Sequence, residues 1–142
     1  MVLGILNKNK SIDILRTLEL VAIASPLEVT FHRAFDDCIN PLKSVEQIIS
    51  CGCKRILTSG QKPSAIEGKV LIAELVSITG NRIVIMPGGG VRANILKELI
   101  HSTNAAEFHS AALSPFAEIL PDPDEIKRML SVISLSSNRV GR

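Results

Sequence analysis

The chain reads as an α/β domain on a parallel sheet, with about five strands alternating with helices. Three observations predict this. Short β-rich apolar runs alternate with longer stretches of helical period in five successive units. The strand runs are apolar along their length instead of alternating, as strands covered on both faces are. Polar residues gather where those runs end, at the carboxyl edge where α/β proteins hold ligands. Two architectures use this right-handed unit, a five-stranded doubly wound sheet and part of a (β/α)8 barrel, and periodicity alone leaves both open.

The elements follow in order. Val2 to Leu6 is a buried-type strand, and Ile12 to Ala24 has helical spacing through Ile12, Leu15, Leu18, Val21 and Ile23. Ser25-Pro26 stops that helix, because a residue before proline is pushed out of the α region. Leu27 to His32 is the second strand. Asn40-Pro41 sets an N-cap ahead of proline at the first helical position, for a helix to about Ser50. Gly52 ends it, and Arg55 to Thr58 is the third strand. Ser64 and Glu67 have capping-box spacing for a helix to about Thr79, and Arg82 to Met86 is the fourth strand. Val91 to Ile100 is a helix, and Ala106 to Ser110 a fifth, weaker strand. Asp122-Pro123-Asp124-Glu125 supplies an N-cap, a proline and an acid at the third helical position, and starts a last helix to about Ile133. Residues 1–133 form one expected domain, and the serine-rich 134–142 a frayed tail.

Composition narrows the function classes. The 142 residues are 46% hydrophobic, enough for a core and against disorder. A formal charge of +2 without long runs of one sign argues against nucleic acid or a polybasic membrane patch as partner. Trp and Tyr are absent, which removes the usual base-stacking platforms. No apolar run reaches the roughly 18 to 20 residues that span a bilayer, and Asn7 to Lys10 interrupt any secretory leader. Three cysteines, an odd number, argue against a disulfide framework and make the reducing cytoplasm the expected compartment.

The strand ends hold the chemistry. Gly88-Gly89-Gly90 ahead of a helix lets backbone N–H groups approach an anion; a tight βα turn needing positive φ explains it equally well. It has neither P-loop nor dinucleotide spacing. His32 and His109 are candidate acid/base groups or soft-metal ligands, with Arg33, Asp36 and Glu107 beside them and Thr58-Ser59-Gly60 closing the third strand. The bland reading of each ring is a structural hydrogen bond. His101 suits a helix C-terminus. Cys51 and Cys53 lie on the amino-end face and read as small hydrophobes. Cys38 leaves a strand's carboxyl end and is the better thiol ligand. No nucleophile elbow, zinc spacing or HExxH motif announces a reaction.

Val29 to Asp36, Arg55 to Gly60, Ile83 to Gly90 and Glu107 to Ser110 follow one another as in the CutC copper homeostasis family, which residues 2–112 resemble; Ser64 to Gly68 fits too. The resemblance implies an incomplete (β/α)8 barrel, cytoplasmic copper handling, Cu(I) binding and homo-oligomers, with no settled reaction. The first strand resembles the family's fourth, so the chain looks like barrel units four to eight. Its expected partner is then a second copy or the missing N-terminal part, and Met1 set directly against a buried-type strand suggests a truncated product. Family ligands on the first three strands, including cysteines tied to Cu(I), have no counterpart here. A glycine-rich turn after the penultimate strand also resembles phosphate-binding barrels, which keeps alive a barrel enzyme or binding protein for a small phosphorylated or carboxylated ligand at Gly88 to Gly90.

Overall fold

The computed structural model describes residues 1–114 and 117–137. Four parallel strands, β1 (Val2–Leu3), β2 (Thr30–Phe31), β3 (Arg55–Thr58) and β4 (Val84–Pro87), lie side by side in chain order. Between and after them run α1 (Ile14–Ala24), a 3₁₀ turn at Arg33–Asp37, α2 (Pro41–Ser50), α3 (Lys69–Thr79) and α4 (Ala93–Thr103). A two-stranded antiparallel hairpin, β5 (Leu113–Ser114) with β6 (Ala117–Pro121), leads into α5 (Pro123–Ser137).

Strand order decides between the two architectures. A doubly wound sheet reverses direction from an inner strand, whereas this order never reverses. Successive right-handed crossovers therefore place the helices on one face, which is barrel winding. Register shows the two faces. Leu3, Phe31, Ile56 and Ile85 form one row across the sheet, all buried, and share a core with Val45, Ile48, Ile72, Leu75, Leu96 and Leu99. Burial of each large side chain contributes roughly 1.5–3 kcal/mol. The alternate row, Val2, Thr30, Arg55 and Val84, lies on the opposite face and stays exposed or half-buried.

Local codes explain most boundaries. Asp13 caps α1 through Arg16 N–H (3.1 Å), and Asn40 caps α2 through Lys43 N–H (3.0 Å). Buried hydroxyls of Thr17, Thr79 and Thr103 donate to carbonyls one turn back, at 2.6, 2.7 and 2.6 Å, so none is left unpaired.

Several elements differ from the sequence reading. β1 stops at Leu3 because the chain folds back, with Leu6 bridging Ile12 across a turn closed by Asn7 N–H to Ser11 O. Ser64 and Glu67 bond to each other, but α3 begins only after Gly68. A Cβ on Gly68 would lie 1.8 Å from Ser59 O, so this residue serves a close chain crossing. α4 starts two residues later than expected and runs on to Asn104 in left-handed conformation.

The expected fifth strand, Ala106 to Ser110, is absent from the sheet. Val84 and Gly88 N–H point to β3, so the odd residues of β4 face the other way, and there Pro87 brings no N–H. One backbone bond, His109 N–H to Pro87 O (2.9 Å), holds this segment beside β4. At the other end α5 continues to Ser137, past the expected stop at Ile133. Ser134 and Ser136 donate to Leu130 O and Val132 O, so these serines are accommodated inside the helix. The rest of the expected tail, 138–142, lies outside the described residues. No helix among the described residues is long and apolar enough to cross a membrane.

Candidate functional site

The site is built where β2 and β3 end. Phe35, fully buried, anchors the 3₁₀ turn, and His32 Nδ1 caps it by accepting from Ala34 N–H (3.0 Å). This aims Arg33 and Asp36 at the loop after β3. Asp36 Oδ1 accepts from Thr58 Oγ1 (2.5 Å), Ser59 N–H (3.0 Å) and Gln61 N–H (3.2 Å). Asp36 Oδ2 accepts from Arg33 Nε (2.8 Å) and lies 2.9 Å from Ser59 Oγ. Burial by itself pushes the Asp36 carboxyl up, yet the bonds from Thr58, Arg33, Ser59 and Gln61 outweigh it and hold the group below its ordinary value.

Arg33 is set by the same knot. Its Nη2 donates to Ser59 Oγ (2.8 Å), and Ser59 gives its single hydroxyl proton to either Asp36 or Lys62 O. That leaves Nη1 beside Gly89, where an added Cβ would lie 3.3 Å away. Gly89 has φ +101°, which only glycine adopts freely. Gly88 N–H donates to Thr58 O (2.9 Å), and Gly89 O accepts from Ala65 N–H (2.9 Å), tying the turn to the loop after β3. His109 flanks Gly88, with its Cβ 3.3 Å from the position a Gly88 Cβ would take, and its side chain is exposed.

Arg33, Asp36, Thr58, Ser59, Gly60, Gly88 and Gly89 thus converge, with Gly90 and His109 at the rim. The other candidates lie elsewhere. His32 packs against Gly4, between β1 and β2. Glu107 is on the open face of the sheet, where Arg55 grips it through Nε (2.7 Å) and Nη2 (3.2 Å) and also pairs with Glu28. Cys38 is buried, and Gln61 Nε2 donates to its carbonyl at 2.6 Å.

Burial pushes the Cys38 thiol up, with the charge of Asp36 adding to the effect. It raises Cys51 as well and takes Cys53 to about 11. All three cysteines are free and buried. Among the described residues no three His, Cys, Asp or Glu side chains group closely enough to hold a metal ion. These donors do not fit Cu(I), which favours accessible thiolates.

One functional group escaped the sequence reading. Glu125, buried on α5, accepts from Ala93 N–H (2.7 Å) at the start of α4 and pairs with Arg128. The Ala93 bond leads in holding its carboxyl below the ordinary value, against burial and with help from Arg128. The helix dipole that the glycine turn was expected to offer an anion is therefore already met by an internal carboxylate. Its sequence signal, an acid in the first turn of α5, points equally well to that helix's own cap.

Residues 1–114 match the profile of the CutC family. The family protein CutC of Parabacteroides distasonis is 50% identical over 113 residues, which are 80% of this chain and 46% of that protein. The mouse copper homeostasis protein cutC homolog is 43% identical over 114 residues, covering 80% of this chain and 42% of that one. A solved structure of CutC from Streptococcus agalactiae superposes with a TM-score of 0.72 at 36% identity, over 76% of this chain and 53% of that one. The chain spans about half the length of the relatives it matches.

Proposed function

This chain belongs to the CutC family, and we propose that it works in cytoplasmic copper homeostasis as the C-terminal βα units of a CutC-type barrel. The match over residues 1–114 carries this reading, together with the copper homeostasis role in the mouse relative's name. Cu(I) is the cargo here. To bind it strongly a thiol must shed its proton, and burial disfavours that at Cys38, Cys51 and Cys53. Weak Cu(I) binding by this chain follows. Competition against a colorimetric Cu(I) chelator tests it, with the chelator expected to keep the metal. Stoichiometric transfer to the chain, lost on Cys38→Ser, would overturn it.

A second reading has its own support: a small phosphorylated or carboxylated ligand at Gly88 to Gly90. It is favoured by Arg33, whose Nε and Nη2 are committed while Nη1 faces Gly89. Phosphate would then raise the melting temperature of the chain but not of an Arg33→Ala variant. An equal rise in both removes this reading.

A further inference from the structure

We propose that Arg55 and Glu107 are positioning residues for an anion at the glycine turn: their ion pair sets the course of residues 107–110 and so brings His109 to the edge of Gly88. The inference rests on the reading of Gly88 to Gly90 as an anion site, and it adds His109 to Arg33 as a donor there.

The segment that carries His109 has little backbone pairing to guide it. One bond, His109 N–H to Pro87 O (2.9 Å), joins it to β4, so side chains fix the rest of its path. Before His109 the anchor is Glu107, taken by Arg55 Nε at 2.7 Å and Nη2 at 3.2 Å, a two-point grip that sets direction as well as distance. After it, Ser110 Oγ donates to Val91 O (2.6 Å). Arg55 lies on β3, paired with Val84, so its side chain reaches past β4 to find Glu107; the remaining Nη1 goes to Glu28. Ion pairs this open to solvent add little stability, so the consequence of the grip is geometric.

At the end of that path His109 meets the turn. Its Cβ and Cδ2 lie 3.3 and 3.6 Å from the place a Gly88 Cβ would take, and Cδ2 is bonded to the ring nitrogen Nε2. Arg33 Nη1 stands 3.3 Å from the corresponding place at Gly89. Donors thus border consecutive glycines, and an imidazole keeps a ring N–H in either charge state. A phosphate group has more terminal oxygens than a carboxylate with which to meet both side chains, so a phosphorylated ligand is the favoured class.

The test is calorimetric titration of inorganic phosphate into the chain and its variants. His109→Ala should weaken binding about tenfold, the loss of one hydrogen bond to a charged group. Glu107→Ala should weaken it several-fold. Removing an acid by itself favours an anion, so a fall runs against the charge effect and reports position. The double variant should bind no more weakly than His109→Ala alone, because Glu107 acts through His109. Glu46→Ala makes the same charge change at an exposed pair with Arg82 and should not weaken binding. If wild type and Arg33→Ala bind phosphate alike, or neither binds it, the anion reading falls and this inference with it. If Arg33→Ala loses binding while Glu107→Ala matches wild type, or if the two losses add in the double variant, the anion reading stands and the positioning role is overturned.

Discussion

Asp36 joins the 3₁₀ turn to the loop after β3, and replacing it tests whether that knot is the organising centre of the site. In Asp36→Asn the amide oxygen can keep the place of Oδ1 and go on accepting from Thr58, Ser59 and Gln61. The amide nitrogen then faces Arg33 Nε, donor against donor. A hydrogen bond to a charged group contributes about 1.5–3 kcal/mol. The Arg33 side chain is 45% exposed and recovers part of this from water, so the expected loss is about 1–2 kcal/mol. Asp36→Ala also strands the donors on the Oδ1 side and should cost about 3 kcal/mol. Urea unfolding reads both as a lower midpoint at constant slope. The folded Asp36 has a depressed pKa, so its contribution is complete above the unfolded value of about 3.9 and is lost as pH falls through the folded one. The gap between wild type and Asp36→Asn should therefore narrow below about pH 4. Equal stability at pH 7, or a gap constant down to about pH 2, would refute the reasoning.

Two other expectations follow from packing and burial. Gly68→Ala sets a Cβ 1.8 Å from a backbone oxygen and should cost about 3 kcal/mol or more, whereas Gly88→Ala meets side chains alone, the movable Leu57 Cδ1 at 2.4 Å and His109 Cβ at 3.3 Å, and should cost about 1 kcal/mol; thermal melts rank the two. Cys38, Cys51 and Cys53 should react slowly with a disulfide reagent at pH 8 and all at once in urea, so rapid native labelling of all three would contradict their burial.

Barrel membership and Cu(I) affinity rest on different features of a chain. The barrel follows from strand order and register, which depend on the whole sheet. Cu(I) affinity depends on a few accessible donors, and the thiols present are packed as small apolar groups.

What could be read from residues alone was whatever depends on near neighbours. Asn40-Pro41 started α2 at the expected residue, and β3 came out at Arg55–Thr58 as read, because caps, prolines and β-rich runs act within a few positions. The polarity of the strand ends was equally plain, and most of those residues do converge. Three failures involve partners distant along the chain. Glu107 looked like a companion to His109 until Arg55, 52 residues away, claimed it. Glu125 looked like a cap for α5 and serves α4, 32 residues back. The Ala106 to Ser110 run looked like a strand, yet in the fold one backbone bond, His109 N–H to Pro87 O, ties it to β4, where Pro87 offers no N–H in return. Folding sets these pairings by bringing charges and backbone edges together in space, and no short-range pattern encodes which of several equivalent partners will arrive.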